Sequence, residues 1–441
     1  MKKENDLMEK IVSLGKRRGL IFPGSEIYGG LAGFWDYGHL GVILKNNLKN
    51  LWWQKFVINR EDMFGLDAAI IMASRAWEAS GHVAGFSDPL VECEKCHRRF
   101  REDQTEGFCP ECKGQLSLAR QFNMMFKTQT GAVEDSSSTV YLRPETAQGI
   151  FANFKNTLDA YHPKLPFGIA QIGKAFRNEI TPRDFVFRSR EFEQMEIEYF
   201  VEEVDWSVQF ENLRQEIVSY LKEIGLAMSQ ISELEVSEED RAHYSKRTID
   251  FEFEYPFGRK ELCGLAYRTN FDLSQHVEFS GQDLNYFDDQ TGEKFIPHVI
   301  EPSLGVDRLI LALLTSAYAE DELGGEPRTY LKFNYQMAPI KVAVFPLLKN
   351  KPELVTKAKE IYQLLKKEIK AVAFDDNGNI GKRYRRQDEI GTPYCVTIDF
   401  DTLGENPDLL DTVTVRDRDT GTQQRLPIAE LLDFFKTKNH S

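Results

Sequence analysis

No stretch of this chain is apolar for long enough to cross a membrane. The longest, residues 309–319, is broken by Thr315 and Ser316 and falls well short of the roughly 18 residues a span requires, so no membrane partner is expected. The amino terminus, Met1-Lys-Lys-Glu-Asn-Asp, carries no apolar segment behind its lysines. No secretory signal is therefore expected, and a cytoplasmic location is. Internal repeats and low-complexity tracts are also lacking. With 41% hydrophobic and 28% charged residues, that excludes a fibrous or wholly disordered chain. Positive charge is in deficit too: 55 Lys and Arg stand against 69 Asp and Glu, which argues against a protein that coats nucleic acid non-specifically. What remains is a globular chain of 441 residues, too long for one ordinary core and sufficient for two or three domains.

The charge deficit is uneven. From Pro339 onward there are 17 basic and 16 acidic residues, a balance of +1, while the first 338 residues carry −15. Within the near-neutral part lies a dense cluster, Lys382, Arg383, Arg385 and Arg386, whose plainest reading is a solvated face. Met337-Ala-Pro339 opens a unit that alternates strand, helix and strand. Its helix, 352–369, buries Leu354, Ala358, Ile361, Leu365 and Ile369. A boundary near 338 is therefore expected, dividing a body (1–338) from a C-terminal domain (339–441). In the body, 41–57 reads as a helix with Leu44, Leu48, Leu51 and Trp52 on one face. A β-rich stretch is expected over about 120–200, a helical and acidic insertion over 202–245, strands over 248–255, and a strongly apolar helix from about Gly305.

Cysteine is scarce, with six residues, but four are paired as Cys93-x-x-Cys96 and Cys109-x-x-Cys112 with twelve residues between. Thiolates at that spacing can converge on one tetrahedral zinc ion. Two coincidental turns or a redox pair are the alternatives. Gly107 and Pro110 beside the second pair favour zinc, as does the doubling of the motif. His97 could replace one sulfur, but four cysteines already close the shell, which points to a structural ion in an insertion spanning 90–115. Cys263 and Cys395 lie in apolar segments and read as buried thiols.

Gly168-x-x-x-x-Gly173-Lys174 nearly spells a phosphate loop, but Ala175 stands where Ser or Thr must reach magnesium, and the segment alternates like a strand. The alternation is the better signal. One face of 169–179 would carry Gln171, Gly173, Ala175, Arg177 and Glu179. The two tiny residues leave a floor for a flat ligand, and Arg177 offers a fork for phosphate. On a second strand, 188–200, Phe192, Gln194, Glu196 and Glu198 share a face. Phe192 and Glu196 would stand about 13 Å apart at a rise of ~3.3 Å per residue, enough for a stacked base at one end and a small cation at the other. A half-exposed hairpin with a solvated charged face is the alternative. Further along, Arg308 falls in the first turn of an apolar helix, where the macrodipole disfavours a cation. It needs an anion: a triphosphate, or Asp307 or another carboxylate.

These segments resemble a known family. Phe176-Arg177-Asn178-Glu179 and Gly305-Val-Asp307-Arg308 are similar to the second and third motifs of class II aminoacyl-tRNA synthetases. Gly38-His-Leu-Gly41, Leu44-Lys-Asn-Asn-Leu48 and Trp52-Trp53 resemble the first motif of the glycine-specific members, although the proline that commonly closes it is not evident. Arg143-Pro-Glu145-Thr-Ala-Gln-Gly149, Phe192-Glu193-Gln194-Met-Glu196 and Glu301-Pro-Ser303 look like the homodimeric glycyl-tRNA synthetase family. Residues 380–393 resemble the anticodon-binding domain shared by class IIa enzymes. The likeness runs from about residue 11 to 435.

The resemblance implies an α+β catalytic domain with an antiparallel sheet, an inserted zinc ribbon and a C-terminal α/β anticodon-binding domain. It implies a homodimer whose substrates are glycine, ATP and tRNA(Gly), with magnesium and structural zinc. Arg177 and Arg308 would be catalytic. The ATP contacts would be Arg177, Asn178, Glu179, Phe187, Arg188, Phe192, Glu261, Leu262, Gly305, Asp307 and Arg308, with Glu261 also carrying magnesium. Glycine would meet Arg101, Glu145, Phe192, Glu193, Gln194, Glu196, Glu301, Ser303 and Gly305. His39, His82 and His298 are expected to be structural. No side-chain nucleophile is required, since arginines and magnesium serve by positioning and electrostatics. The rival readings are a class IIa synthetase for another amino acid, a non-catalytic synthetase-like accessory protein, and a zinc-ribbon adaptor. Neither of the last two accounts for the full set of charged motif residues.

Overall fold

Strands that alternate apolar and polar residues build the platform of the body. The computed structural model describes residues 2–132 and 138–438. Seven strands form one sheet: β1 (Met63–Leu66), β2 (Phe167–Phe176), β3 (Glu191–Val201), β4 (Ile231–Glu235), β5 (Arg247–Tyr255), β6 (Gly258–Thr269) and β7 (His298–Gly305). Their spatial order is β4-β5-β6-β7-β3-β2-β1. Neighbours run antiparallel except β1 and β2.

One face of this sheet is apolar and carries the core. Met195, Ile197 and Tyr199 of β3 and Phe251 and Phe253 of β5 pack with three helices: α1 (His39–Trp53), α3 (Trp206–Glu223) and α5 (Val306–Ala317). Ten of the twelve α5 residues are buried, and each fully buried Leu or Ile there contributes about 1.5–3 kcal/mol. The opposite face is polar and closed at one end by α2 (Ala147–Ala152) and α4 (Phe271–Ser280), which bury Phe151 and Leu273.

The stretch 120–200 is β-rich as expected, with α2 and a second helix, Phe154–Tyr161, set between its strands. One expectation needs correction. The segment after α3 is not helical. Gly225, at φ +92°, turns the chain away, and β4 then pairs with β5.

The paired cysteines sit beside a small sheet in which Ser87–Glu92 lies between Arg99–Arg101 and Arg120–Asn123. A separate five-stranded sheet forms the C-terminal unit from β8 (Val342–Pro346), β9 (Val372–Phe374), β10 (Tyr394–Ile398), β11 (Thr412–Asp417) and β12 (Gln423–Pro427), in the order β9-β8-β10-β11-β12. Helices α6 (Pro352–Glu368) and α8 (Leu431–Lys438) cover it, with α7 (Ile380–Ile390) close by. The basic cluster on α7 is only partly a solvated face. Arg383 is buried and donates to the carbonyls of Pro346, Asp376 and Gly378, while Arg386 pairs with Asp375. A buried ionic net joins the two units, with Asp388 of α7 held by Arg416 at 2.8 Å and by Arg328 of the body at 3.5 Å. Among the described residues no helix is long and apolar enough to cross a membrane.

Candidate active site

The polar face of the large sheet is a product of register. Gln171 pairs with Glu196, Gly173 with Gln194 and Ala175 with Phe192 across β2 and β3. Across β3 and β7, Glu196 pairs with Ser303 and Gln194 with Gly305. Two functional ends result.

At the closed end, acids crowd together. Glu145, from the loop before α2, and Glu196, Glu198 and Glu301 are all buried. Glu196 accepts hydrogen bonds from Thr146 at 2.5 Å and Ser303 at 2.7 Å. Glu145 accepts from Gln148 at 3.0 Å and lies 3.5 Å from His82. Burial opposes its ionisation, but His82, Arg268 and Gln148 prevail and hold its carboxyl well below the usual range. Glu198 and Glu301 go the other way: burial pushes both up, and each also feels neighbouring glutamates. His82 and His298 support neighbours, His298 against Tyr267.

Arg268 is a residue the sequence reading missed. It is 1% exposed, donates to both oxygens of Asp272 and reaches Glu301 at 2.6 Å. Its only signal in the sequence is an acid four residues ahead. One guanidinium, already shared by two carboxylates, leaves the other buried carboxyls of this end short of positive charge, so a cation placed here would favour their ionised form.

At the open end, a cavity of about 270 Å³ is lined by Arg101, Arg177, Arg188 and Arg308, with Glu179, Phe187, Phe192, Glu261, Leu262 and Gly305. Arg177 donates to the Pro144 carbonyl at 3.0 Å and lies between the rings of Phe86 and Phe192, 5.4 and 5.3 Å from their centroids. Arg308 pairs with Glu261 at 3.0 Å and covers the Phe187 ring at 4.5 Å. The carboxylate that answers its place in the first turn of α5 is thus Glu261. Arg188 Nη1 is buried with no hydrogen-bond partner, 3.7 Å from Glu179 Oε2. Converging guanidiniums and an orphaned buried donor define an anion receptor.

Several of the expected site residues line this cavity while their charged groups hold protein partners. The side chain of Glu193 is out of phase with those of 192, 194 and 196, so its carboxylate reaches Lys45 and Lys49 on the other face, at 3.0 and 2.8 Å. Asp307 spends its carboxylate on Tyr37, Lys45 and the Glu193 amide. It fixes the start of α5 and does not present a free acid to the cavity. Arg101, expected near glycine, lines the open end and pairs with Asp88 and Asp103. The backbone N–H of Asn178 donates to the Met124 carbonyl at 2.7 Å. The open floor expected from Gly173 is filled by Arg143, whose Nη2 would lie 2.1 Å from a Cβ at that position.

The four paired cysteines do converge. Their sulfurs lie within 4.8 Å of one another, and a Cβ on Gly114 would crowd Lys95 Cβ at 2.9 Å and Cys93 Sγ at 3.0 Å. The backbone N–H of Cys96 draws the Cys93 thiol down, while burial and the other three sulfurs push Cys96 up, as expected of thiols crowded together without a cation between them. The donor set fits zinc. Cys263 and Cys395 are buried, as expected.

Comparison with known proteins agrees with this geometry. Residues 116–317 match the family model "tRNA synthetase class II core domain (G, H, P, S and T)", and residues 341–438 match "Anticodon binding domain". The fold is also that of Giardia lamblia prolyl-tRNA synthetase in complex with prolyl-adenylate, with a TM-score of 0.71 at 17% identity over 97% of this chain and 75% of that one. The catalytic body is therefore that of a class II aminoacyl-tRNA synthetase. Glycine–tRNA ligase of Lachnospira eligens is 51% identical, covering 98% of both chains. That of Clostridium acetobutylicum is 49% identical over 99% of both. The chain belongs to the glycine–tRNA ligase family.

Proposed function

We infer that this protein is a glycine–tRNA ligase. It activates glycine with ATP to glycyl-adenylate and pyrophosphate, then passes glycine to the 3′-terminal ribose of tRNA(Gly). The observation that carries this reading beyond family membership is the pairing of an anion receptor with a cation receptor on one sheet face. Arg177 holds the α-phosphate, Arg188 and Arg308 the outer phosphates, and Phe192 the adenine ring. Glu145, Glu196 and Glu301 surround the glycine ammonium, with Ser303 beside the α-carbon. A carboxylate oxygen of glycine attacks the α-phosphorus and pyrophosphate leaves. A ribose hydroxyl of tRNA then attacks the carbonyl carbon and AMP leaves. Both steps join anionic or neutral oxygens to crowded centres, so positioning and charge neutralisation carry the catalysis.

Glu261 is suited to magnesium. It stands among the arginines of the open end, and its neighbour Asp250, pushed up to about 6 by burial and by Glu261, offers a second acid. Magnesium there would neutralise phosphate charge. Glycine needs no editing domain, because no smaller amino acid competes for the pocket.

Residues 1–338 form the catalytic domain, with insertions at 90–115 and 202–245, and 339–441 form the anticodon-binding domain. The enzyme acts as a cytoplasmic homodimer. In support, Ile27, Tyr28 and Leu31, in the segment preceding α1, are 89%, 86% and 55% exposed, apolar surface of the kind that partners cover. The test is charging: purified protein with ATP, labelled glycine and unfractionated tRNA should yield labelled tRNA, and ribonuclease should abolish the signal. Failure with glycine and success with another amino acid would favour a different class IIa synthetase.

A further inference from the structure

The body and the C-terminal unit keep separate apolar cores. One ends in sequence at Ala338 and the other begins at Val342, and no buried apolar cluster among the described residues spans both. Units joined in that way ordinarily move against each other. What fills the junction instead is buried charge. Arg328, on the body strand Glu326–Leu331, and Asp388, Arg416 and Arg418 of the C-terminal unit are each at most 4% exposed.

Hydrogen bonds cross the junction in both directions. Arg328 Nη1 donates to the backbone carbonyl of Arg418 at 2.6 Å and lies 3.5 Å from Asp388, while Nε and Nη2 grip both oxygens of Asp321 in the body at 2.8 and 2.5 Å. In turn Arg418 donates to the carbonyl of Phe333 in the body at 2.8 Å and to that of Gly391 in its own unit at 2.7 Å. Gly391, at φ +80°, admits the body chain: a Cβ there would meet Phe333 Cδ2 at 2.5 Å and the Leu331 carbonyl oxygen at 2.9 Å. Burying three guanidiniums and an aspartate adds little stability, since an apolar junction of the same volume often does as well or better. What it contributes is geometry. A planar guanidinium with forked donors satisfies its partners in one arrangement only, whereas apolar faces can slide.

We propose that Arg328 and Arg418 are positioning residues for the charging of tRNA: as a reciprocal clasp, each bound to a backbone carbonyl of the other unit, they hold the C-terminal unit in the one orientation that lets an RNA contact both units at once. The inference rests on the reading of the protein as a tRNA ligase. An RNA that spans the junction is a bivalent ligand, and its second contact is favoured only while the two sites keep a fixed separation and angle. Glycine, ATP and a short acceptor-stem hairpin engage the body alone, so they do not sense the clasp.

The test compares R328K with the unmodified enzyme. Lysine keeps the charge but has no fork, so it cannot hold Asp321 and the Arg418 carbonyl together. Glycine-dependent pyrophosphate exchange should stay within about twofold, and so should the charging of an acceptor-stem hairpin. The kcat/KM for charging full-length tRNA(Gly) should fall at least about tenfold, chiefly through KM. Spin labels at V204C in the body and L410C in the C-terminal unit, both exposed positions, give a readout that needs no activity. With labelled chain diluted in unlabelled chain, the distance distribution should widen in R328K. Unchanged tRNA charging, an unchanged distribution, or equal losses in exchange and charging would each overturn the proposal. Should R328K fail to fold, D321N, at an exposed site, takes its place with the same outcomes expected. If neither folds, the unmodified enzyme decides: tRNA(Gly) lengthened by one base pair in the anticodon stem should be charged at least about tenfold less well, because a clasped unit cannot follow it, and undiminished charging would overturn the clasp. An unmodified enzyme that charges no tRNA with glycine would instead defeat the proposed function, while the label distances would still decide the clasp.

Discussion

Gly173 is the space into which Arg143 fits. The guanidinium of Arg143 donates to the carbonyls of Lys174 at 2.6 Å and Ala68 at 2.8 Å, and its Nη2 would be 2.1 Å from a Cβ on Gly173. Arg143 is 1% exposed and cannot swing away without abandoning both carbonyls. It also begins the Arg143-Pro144-Glu145 turn that delivers Glu145 to the pocket. Gly173→Ala should therefore cost roughly 1–3 kcal/mol of stability, the range for overpacking a filled site. It should also weaken glycine more than ATP. Thermal unfolding and the two KM values check this, and an unperturbed variant would show that Arg143 can relocate freely.

Arg177 is held between two aromatic rings and tied to the Pro144 carbonyl through Nε, which leaves its terminal nitrogens for a phosphate. Arg177→Ala should lose at least ~3 kcal/mol of transition-state stabilisation, the scale for removing a major charge-stabilising donor. Adenylate formation in a single turnover measures it. An unchanged rate would put the α-phosphate elsewhere.

The cysteine cluster should hold about one zinc per chain. Cys93→Ser should lose the metal and loosen the strands that carry Arg101, since Glu92 and Arg99 pair in the same small sheet. Metal analysis of protein purified without chelators is the check, and protein free of zinc but fully folded in this region would contradict it.

Much of this site was legible in the sequence because it depends on local spacing. Two CxxC pairs announce a metal site within twenty residues of chain, and period-two alternation places Arg177, Phe192 and Glu196 on one face before any strand is paired. The rest depends on which strands meet. Nothing local says that Glu198 will face Glu301, about a hundred residues later, or that Arg268 will be the cation between Asp272 and Glu301. Glu193 lines the open-end cavity with its motif neighbours, but alternation sends its carboxylate to Lys45 and Lys49. Arg383 looked like surface charge because a basic run does not reveal which member turns inward.

Lys341, in the groove between the two units, shows how burial sets a pH response. Burial pushes its ammonium down to about 7 from an ordinary 10.5. Between those values the unfolded chain holds the proton and the folded chain does not, so stability falls as pH drops from about 10.5 to 7 and levels off below. Lys341→Met removes the charge to be buried. Its melting temperature should exceed that of the unmodified protein most at pH 6–7, with the advantage fading toward pH 10. A pH-independent difference would mean that Lys341 stays charged in the fold.

The central claim is that the arginine-lined cavity and the glutamate pocket together activate glycine. Pyrophosphate exchange into ATP, run without tRNA across all twenty amino acids, tests it most directly. Glycine alone should support exchange, because the receptors for both small substrates lie within this chain. Robust exchange with proline, threonine or another amino acid, and none with glycine, would contradict the account.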